Sequence, residues 1–338
     1  MLILKNKNNT IPQNLKLKLN ISDYPYASST LDNSFSLFKS INNIFYLIFY
    51  SINNTIVSYN LESLQIISEI RSENISNFRH FLDKLNKRDL LLSISFRNNN
   101  LFIFDILNFE CILKISKVNN IGWLYSACIF TENNQNYIIT NNYSLESNPD
   151  ALKIFDFNGN KIKEMKNSDE NSYFIDTYYD KVLLKNYIVV GNAGYVKSYD
   201  FSKNALYHKY YDNSNKSHPS IVINDNDIII KLIESSNDGN IRIWNFHTGQ
   251  LLDKINTGDE YLTGICLWDN NYLFVACGDG GEGTIKLIDL NKKAIINIQS
   301  NYSDEVLTIK KIILHDNIDY LISQSLGKEG INIWKIEN

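Results

Sequence analysis

Six consecutive residues, Gly278-Asp279-Gly280-Gly281-Glu282-Gly283, satisfy the G-x-G-x-x-G spacing that lays a pyrophosphate against the first turn of a helix. That chemistry needs a helix next. Instead the chain continues as Thr284-Ile285-Lys286-Leu287-Ile288-Asp289, which alternates as a strand does. Asp279 and Glu282 would also set negative charge beside the phosphates. The stretch therefore reads as a widened hairpin turn. Asp225-Asn226-Asp227 and Asn237-Asp238-Gly239-Asn240 carry oxygen donors like those of a calcium loop. Neither has the glycine at position six and the glutamate at position twelve that complete such a loop, and turn capping accounts for both. The five histidines (His80, His208, His218, His247, His315) and four cysteines (Cys111, Cys128, Cys266, Cys277) form no Cys-x-x-Cys pair and no zinc or metalloprotease spacing. There is no G-x-S-x-G elbow. Asp259-Glu260 and Asp304-Glu305 are paired carboxylates, but they lie between strand-like segments and read as solvated. The expectation is no metal, no cofactor and no catalysis.

Charge and hydropathy narrow the partners. The formal net charge is -4, from 33 Lys and Arg against 37 Asp and Glu, and no block of five or six like charges occurs. A nucleic-acid binder needs a basic footprint, so none is expected here. The first residues, Met-Leu-Ile-Leu-Lys-Asn-Lys, lack a secretory apolar core. The longest apolar run, Ile44 to Tyr50, falls far short of the ~20 residues that cross a bilayer. Unpaired cysteine spacing suits a reducing compartment. Cytoplasmic residence without membrane insertion is expected, with the nucleus as the alternative.

The elements that must carry any site are strands. Ser235 to Leu252 holds a turn at Asn237-Asp238-Gly239-Asn240 between apolar runs, a strong hairpin pattern because glycine tolerates the positive φ of the turn. Ile241, Ile243 and Asn245 alternate with Arg242 and Trp244, and a second turn leads into Leu251-Leu252-Asp253-Lys254-Ile255. The unit recurs. Large apolar residues at Tyr59, Phe104, Phe155, Tyr199, Trp244, Ile288 and Trp334, usually followed by Asp or Asn, are spaced by 45, 51, 44, 45, 44 and 46 residues. A step of ~40–45 residues with four short strands per unit defines propeller blades. Only seven alanines, with abundant Ile, Tyr and Phe, agree with an all-β chain. Even Asn77 to Leu85, which could pass for an amphipathic helix, reads as strand and turn in the register of the repeat. The many asparagines, as at Asn98 to Asn100, read as compositional loop filler.

The units resemble WD40 repeats over nearly the whole chain. Unit five matches best, through Ser236, Asp238, Gly239, Ile241, Ile243 and Trp244, with His218 26 residues before the tryptophan. The resemblance implies a hydrogen-bonded structural tetrad of His218, Ser236, Asp238 and Trp244. No unit ends in Trp-Asp, no Gly-His pair occurs, and only units five and seven carry the tryptophan, so the array is degenerate. No Arg-Arg string of the kind that binds phosphoinositides on some propellers is present.

The expected architecture is a seven-bladed β-propeller over residues 14–338, preceded by a tail over 1–13. Leu15-Lys16-Leu17-Lys18-Leu19-Asn20-Ile21 alternates as a strand with one buried face, whereas unit seven lacks its outer strand after Trp334. The first strand should therefore pair beside Ile331 to Trp334 and close the ring, because an open ring exposes a strand edge. Unit three is longest, and its extra residues, 141–150, join its second and third strands on the face where WD40 propellers usually bind. The resemblance implies a monomeric, non-catalytic scaffold that presents this face to peptides or domains of protein partners within a larger complex. Candidate contacts are Trp123, Tyr125, Tyr143, Glu146, His218, Asp238 and Asp279. The competing expectation is an enzyme or small-ligand binder using the mouth of the channel.

Overall fold

The structure, a computed structural model, describes residues 14–21, 34–72, 75, 77–96, 98–145, 149–213, 220–224, 229–258, 261–279, 282–315, 318–326 and 330–337. Among them every regular element is a strand, and the strands form seven antiparallel four-stranded sheets. Blade one comprises β2 (Phe35–Lys39), β3 (Phe45–Tyr50), β4 (Thr55–Asn60) and β5 (Gln65–Arg71). Blade two comprises β6 (Asn77–Asp83), β7 (Arg88–Ser95), β8 (Asn100–Asp105) and β9 (Glu110–Ile115). Blade three comprises β10 (Ala127–Glu132), β11 (Gln135–Thr140), β12 (Lys153–Asp156) and β13 (Lys161–Glu164). Blade four comprises β14 (Ser172–Asp180), β15 (Lys185–Asn192), β16 (Val196–Asp200) and β17 (Ala205–Tyr210). Blade five comprises β18 (Ser220–Asn224), β19 (Lys231–Ser235), β20 (Asn240–Asn245) and β21 (Leu251–Asn256). Blade six comprises β22 (Leu262–Leu267), β23 (Tyr272–Asp279), β24 (Glu282–Asp289) and β25 (Ala294–Tyr302). Blade seven comprises β26 (Val306–Ile313), β27 (Asp319–Ser325), β28 (Ile331–Glu337) and, from the other end of the chain, β1 (Asn14–Ile21). First strands of successive blades touch in order, β2 to β6 to β10 and onward to β26, which touches β2 again. The chain is a closed seven-bladed β-propeller.

The 45-residue step has a physical basis. Each of the seven large residues falls in a different hydrophobic cluster, and each cluster joins two adjacent blades. Tyr59 fills the interface of blades seven and one, Trp244 that of four and five, and Trp334 that of six and seven. There is no single central core. Apolar burial is divided into seven similar interfaces, each keyed by one bulky side chain. At that same residue the ladder between third and outer strand slips by one, as at Ser58/Tyr59, Ile103/Phe104 and Ile243/Trp244. A β-bulge here sharpens the twist that each blade needs to pack on the next. The following Asp or Asn caps the turn. Asn60, Asp105, Asp156, Asp200, Asn245 and Asp289 each accept a backbone N–H two or three residues on. The repeating bulky-residue-then-Asx pair is thus a bulge, an interface plug and a turn cap in succession.

Closure occurs where expected. β1 runs antiparallel to β28, with Ile21 opposite Ile331 and Leu17 opposite Trp334. Leu15 and Leu19 pack on the clusters at either side of blade seven, and Ile21 is buried. The tail over 1–13 lies outside the described residues.

Two expectations are corrected. The glycine-rich stretch is not a widened turn: Gly278 pairs with Gly283 and Asp279 with Glu282, leaving only two residues between the strands. Gly278 and Gly283 answer to packing, because a Cβ at Gly283 would collide with the backbone of Asp304 on the connection to blade seven and one at Gly278 with the Glu305 side chain. A strand comes next, so no helix dipole meets a pyrophosphate here. Nor is Asn99 filler. It adopts the left-handed conformation (φ 53°) that asparagine tolerates, accepts from the Leu124 N–H at 2.7 Å and donates to the Gly122 carbonyl at 2.7 Å.

Candidate functional site

Antiparallel blades put the connections between second and third strands, and those entering the next blade, on one face of the ring. The remaining turns form the other face. Blades two to four build the most distinctive part of the first face, from asparagines upward. Asn141 is fully buried at the start of the long loop. Its Oδ1 accepts from the N–H groups of Tyr125 (3.1 Å) and Ser126 (2.6 Å), while its Nδ2 donates to the Ser172 carbonyl at 2.9 Å. Asn142 Nδ2 donates to the Ile121 carbonyl at 2.7 Å, and Asn119 Nδ2 to the Asn141 carbonyl at 3.1 Å. Asn171 holds both backbone groups of Ser144, at 2.6 and 2.7 Å. Side-chain amides thus satisfy, in place of a ladder, the backbone of irregular chain buried between blades. Asn141→Ala is expected to orphan two donors and one acceptor and to lower stability by roughly 2–3 kcal/mol, read from chemical denaturation.

Five aromatic rings rest on this base. Trp123 and Tyr143 form an isolated antiparallel bridge, with N–H···O bonds of 2.7 and 2.9 Å in both directions, and their rings stack at 6.2 Å. Gly122 before the bridge has φ 82°, and a Cβ there would strike the Tyr143 carbonyl. Tyr125 lies 4.9 Å from Tyr143, and Tyr173 5.1 Å from Tyr143. Phe96, in the turn of blade two, meets Tyr125 edge-on at 4.8 Å and Trp123 at 5.2 Å. All five are half-buried, and the rim adds Ile121 at 45% and Leu145 at 76% exposure. Burial, with Tyr143 beside it, pushes the Tyr173 hydroxyl up to about 12, and the same causes raise that of Tyr125. Both phenols therefore stay protonated donors across the neutral range. The cluster offers apolar area, π faces and hydrogen-bond donors on a scaffold held in place by its loops, the combination that concentrates binding energy at interfaces.

Of the residues singled out in the sequence, Trp123, Tyr125 and Tyr143 come together here. Glu146 and His218 lie outside the described residues. Asp279 pairs its backbone with Glu282 at the tip of blade six. Asp238, on blade five, is held by Arg242 at 2.5 and 3.2 Å. Arg242 is fully buried, and its Nε also reaches Asp212 at 3.1 Å and lies 3.9 Å from buried Glu234. The expected tetrad is not joined through its serine. The Asp238 N–H donates to Ser236 Oγ at 3.4 Å, but the Trp244 indole donates to Glu234 Oε1 at 3.3 Å. Register explains this: Leu232 faces Trp244, so the residue within reach of the indole is Glu234, two before Ser236. In blade seven the equivalent position is Ser323, whose hydroxyl accepts from Trp334 Nε1 at 2.8 Å and meets the Tyr302 hydroxyl at 2.7 Å.

Sequence reasoning missed Phe96, Tyr173 and the buried cations. The cations had a readable pattern. Lys153, Lys197, Arg242 and Lys286 each stand two residues before the bulky residue of blades three to six, and each is buried. Three donate to backbone carbonyls of the connection entering their blade, at Val118 (2.9 Å), Asn167 (3.5 Å) and Thr257 (2.7 Å), where Arg242 takes Asp212 instead.

On the opposite face His247 Nε2 lies 3.1 Å from buried Asp180, and its Nδ1 lies 3.1 Å from the Tyr207 hydroxyl. This chain links blades four and five. Among the described residues no group of three or more His, Cys, Asp or Glu side chains could hold a metal ion.

No protein-family model matches the chain, and no curated protein matches it. Fold and site geometry define the class: a seven-bladed β-propeller with an aromatic loop face.

Proposed function

We propose that this propeller is a degenerate WD40-type scaffold, without catalytic activity, that docks protein partners on the aromatic loop face of blades two to four. The partner would be a peptide or domain surface, within a larger complex in the cytoplasm or nucleus. One observation carries the reading: Phe96, Trp123, Tyr125, Tyr143 and Tyr173 form a continuous half-exposed aromatic patch across three blades, rimmed by Ile121 and Leu145. Monomeric proteins seldom leave such a patch uncovered without using it. Central aromatic anchors on a preformed surface also bind with little ordering cost.

The test is affinity capture of the full chain from its own cells, with wild type compared with a Trp123→Ala, Tyr143→Ala double variant. Partners recovered with wild type should fall at least about tenfold with the variant, as expected when hot-spot residues are truncated, while an Ile162→Ser control on an outer strand retains them. Equal recovery by both variants, with both folded by circular dichroism, would contradict the reading.

A further inference from the structure

The polar side-chain atoms of the five-ring cluster are the indole N–H of Trp123 and the phenol hydroxyls of Tyr125, Tyr143 and Tyr173. The Tyr173 hydroxyl is engaged with that of Tyr143. The Trp123 indole and the Tyr125 hydroxyl meet no hydrogen-bond partner among the described residues. Burial keeps the Tyr125 phenol protonated, so it stays a donor. The backbone beneath the rings is already committed. Trp123 and Tyr143 exchange N–H···O bonds in both directions, Asn141 holds the Tyr125 N–H, and Asn171 holds both backbone groups of Ser144. The Asn142 carbonyl accepts from the Ser172 N–H at 3.1 Å. What this face has left to offer is ring faces together with side-chain donors.

We infer that the aromatic face takes proline-rich segments in the polyproline II conformation, an inference that rests on the docking reading above and names its ligand. The three ways a peptide docks make different demands. Strand addition needs a row of unpaired backbone groups, and those of Trp123, Tyr143 and Ser144 are taken. A helix bonds its own carbonyls internally and would leave the indole and phenol without acceptors. A polyproline II segment has no internal hydrogen bonds, so its carbonyls point outward and await donors. Its prolines bring no N–H that would need an acceptor, and their flat rings pack on aromatic faces. The aromatic rings come from blades two, three and four, with successive centroids 5.2, 6.2 and 5.1 Å apart from Phe96 through Trp123 and Tyr143 to Tyr173. Same-side residues of such a helix recur every ~9 Å, a repeat that alternate rings of this row can follow. The segment is also stiff before it binds, so docking costs little conformational entropy.

Fluorescence anisotropy of labelled decaproline, titrated with the full chain, tests it. Saturable binding is expected, tighter than that of a glycine-serine peptide of equal length, which must be ordered as it binds. Trp123→Ala should weaken binding at least about tenfold. Tyr125→Phe keeps the ring and removes only the hydroxyl, so it should weaken binding about threefold to tenfold, the equivalent of one hydrogen bond, with no change in melting temperature. Ile162→Ser, on an outer strand, should bind as wild type does. Absence of decaproline binding, tighter binding of an amphipathic helical peptide, or binding unchanged in Trp123→Ala would overturn the inference. If decaproline fails while partner capture still depends on Trp123 and Tyr143, the docking reading stands and the choice of ligand alone falls. If capture is also independent of those residues, both fall.

Discussion

Deletion of residues 1–21 should leave no stable monomer. The deletion removes β1, and with it the whole ladder to β28 and the apolar contacts of Leu15, Leu19 and Ile21 on two inter-blade clusters. Ile21 is buried and Leu15 and Leu19 are half-buried, so at ~1.5–3 kcal/mol per fully buried side chain the three contribute roughly 3–6 kcal/mol, before the lost ladder is counted. The total stability of a folded domain is only ~5–15 kcal/mol. The loss is therefore comparable to the whole margin. It also bares the edge of β28, a template for pairing between molecules. Size exclusion and thermal melts should show aggregation or loss of the cooperative transition. A synthetic peptide spanning Asn14–Ile21 should restore part of it in trans. An unchanged melting curve for the deletion would mean that the ring does not need this strand.

Arg242→Ala carries the second large effect. Its guanidinium is 1% exposed and neutralises Asp238 and Asp212 beside buried Glu234. Truncation strands Asp238 beside buried Glu234 and leaves Asp212 with Lys254 alone, at the junction of blades four and five. Removing one partner of a buried ionic network typically destabilises by ~3–5 kcal/mol. Acid dependence gives an independent readout. Burial alone would raise the Asp238 carboxyl, but hydrogen bonds and charge from Arg242 hold it well below its ordinary range of 3.8. Lys254 first, then Arg242, lower that of Asp212. A carboxylate with a depressed folded pKa adds stability in full above its unfolded value and loses it as pH falls through the folded one. Wild type should thus lose stability on acidification from about pH 4 downward, and Arg242→Ala should show a shallower dependence over that range. Equal slopes would show that Arg242 does not hold these groups.

Much of the ring was legible because one position per blade does three jobs. The bulky residue plugs an interface, marks the bulge and precedes the turn cap, so its spacing survives when Trp244 is replaced by Ile288 or Phe155 at the equivalent place. The alternating residues of β1 and the missing outer strand of unit seven foretold the closure in the same way. The site was only partly legible. Trp123, Tyr125 and Tyr143 stood out by type and by the long loop, whereas Phe96 and Tyr173 join them only through the ring, from blades two and four. The asparagines misled for a physical reason. Their abundance looks compositional, yet Asn99, Asn141 and Asn171 use the amide's paired donor and acceptor, and Asn119 and Asn142 its donor, to satisfy backbone between blades. The resemblance to WD40 repeats implied Ser236 in the tryptophan's tetrad, but strand register selects Glu234 as the indole's partner, and register is set by pairing that a single unit does not reveal.

Ring closure is the claim on which the loop face rests, and cross-linking reads it directly. Asn20 and Asn332 are opposite one another in the β1–β28 ladder, with Asn20 Nδ2 donating to Asn332 Oδ1 at 2.6 Å, across almost the full length of the chain. In an Asn20→Cys, Asn332→Cys variant treated with a short bismaleimide at low protein concentration, mass spectrometry should find one intramolecular product joining the two introduced cysteines. Monomeric, folded protein that yields no such product would contradict the closed seven-bladed ring.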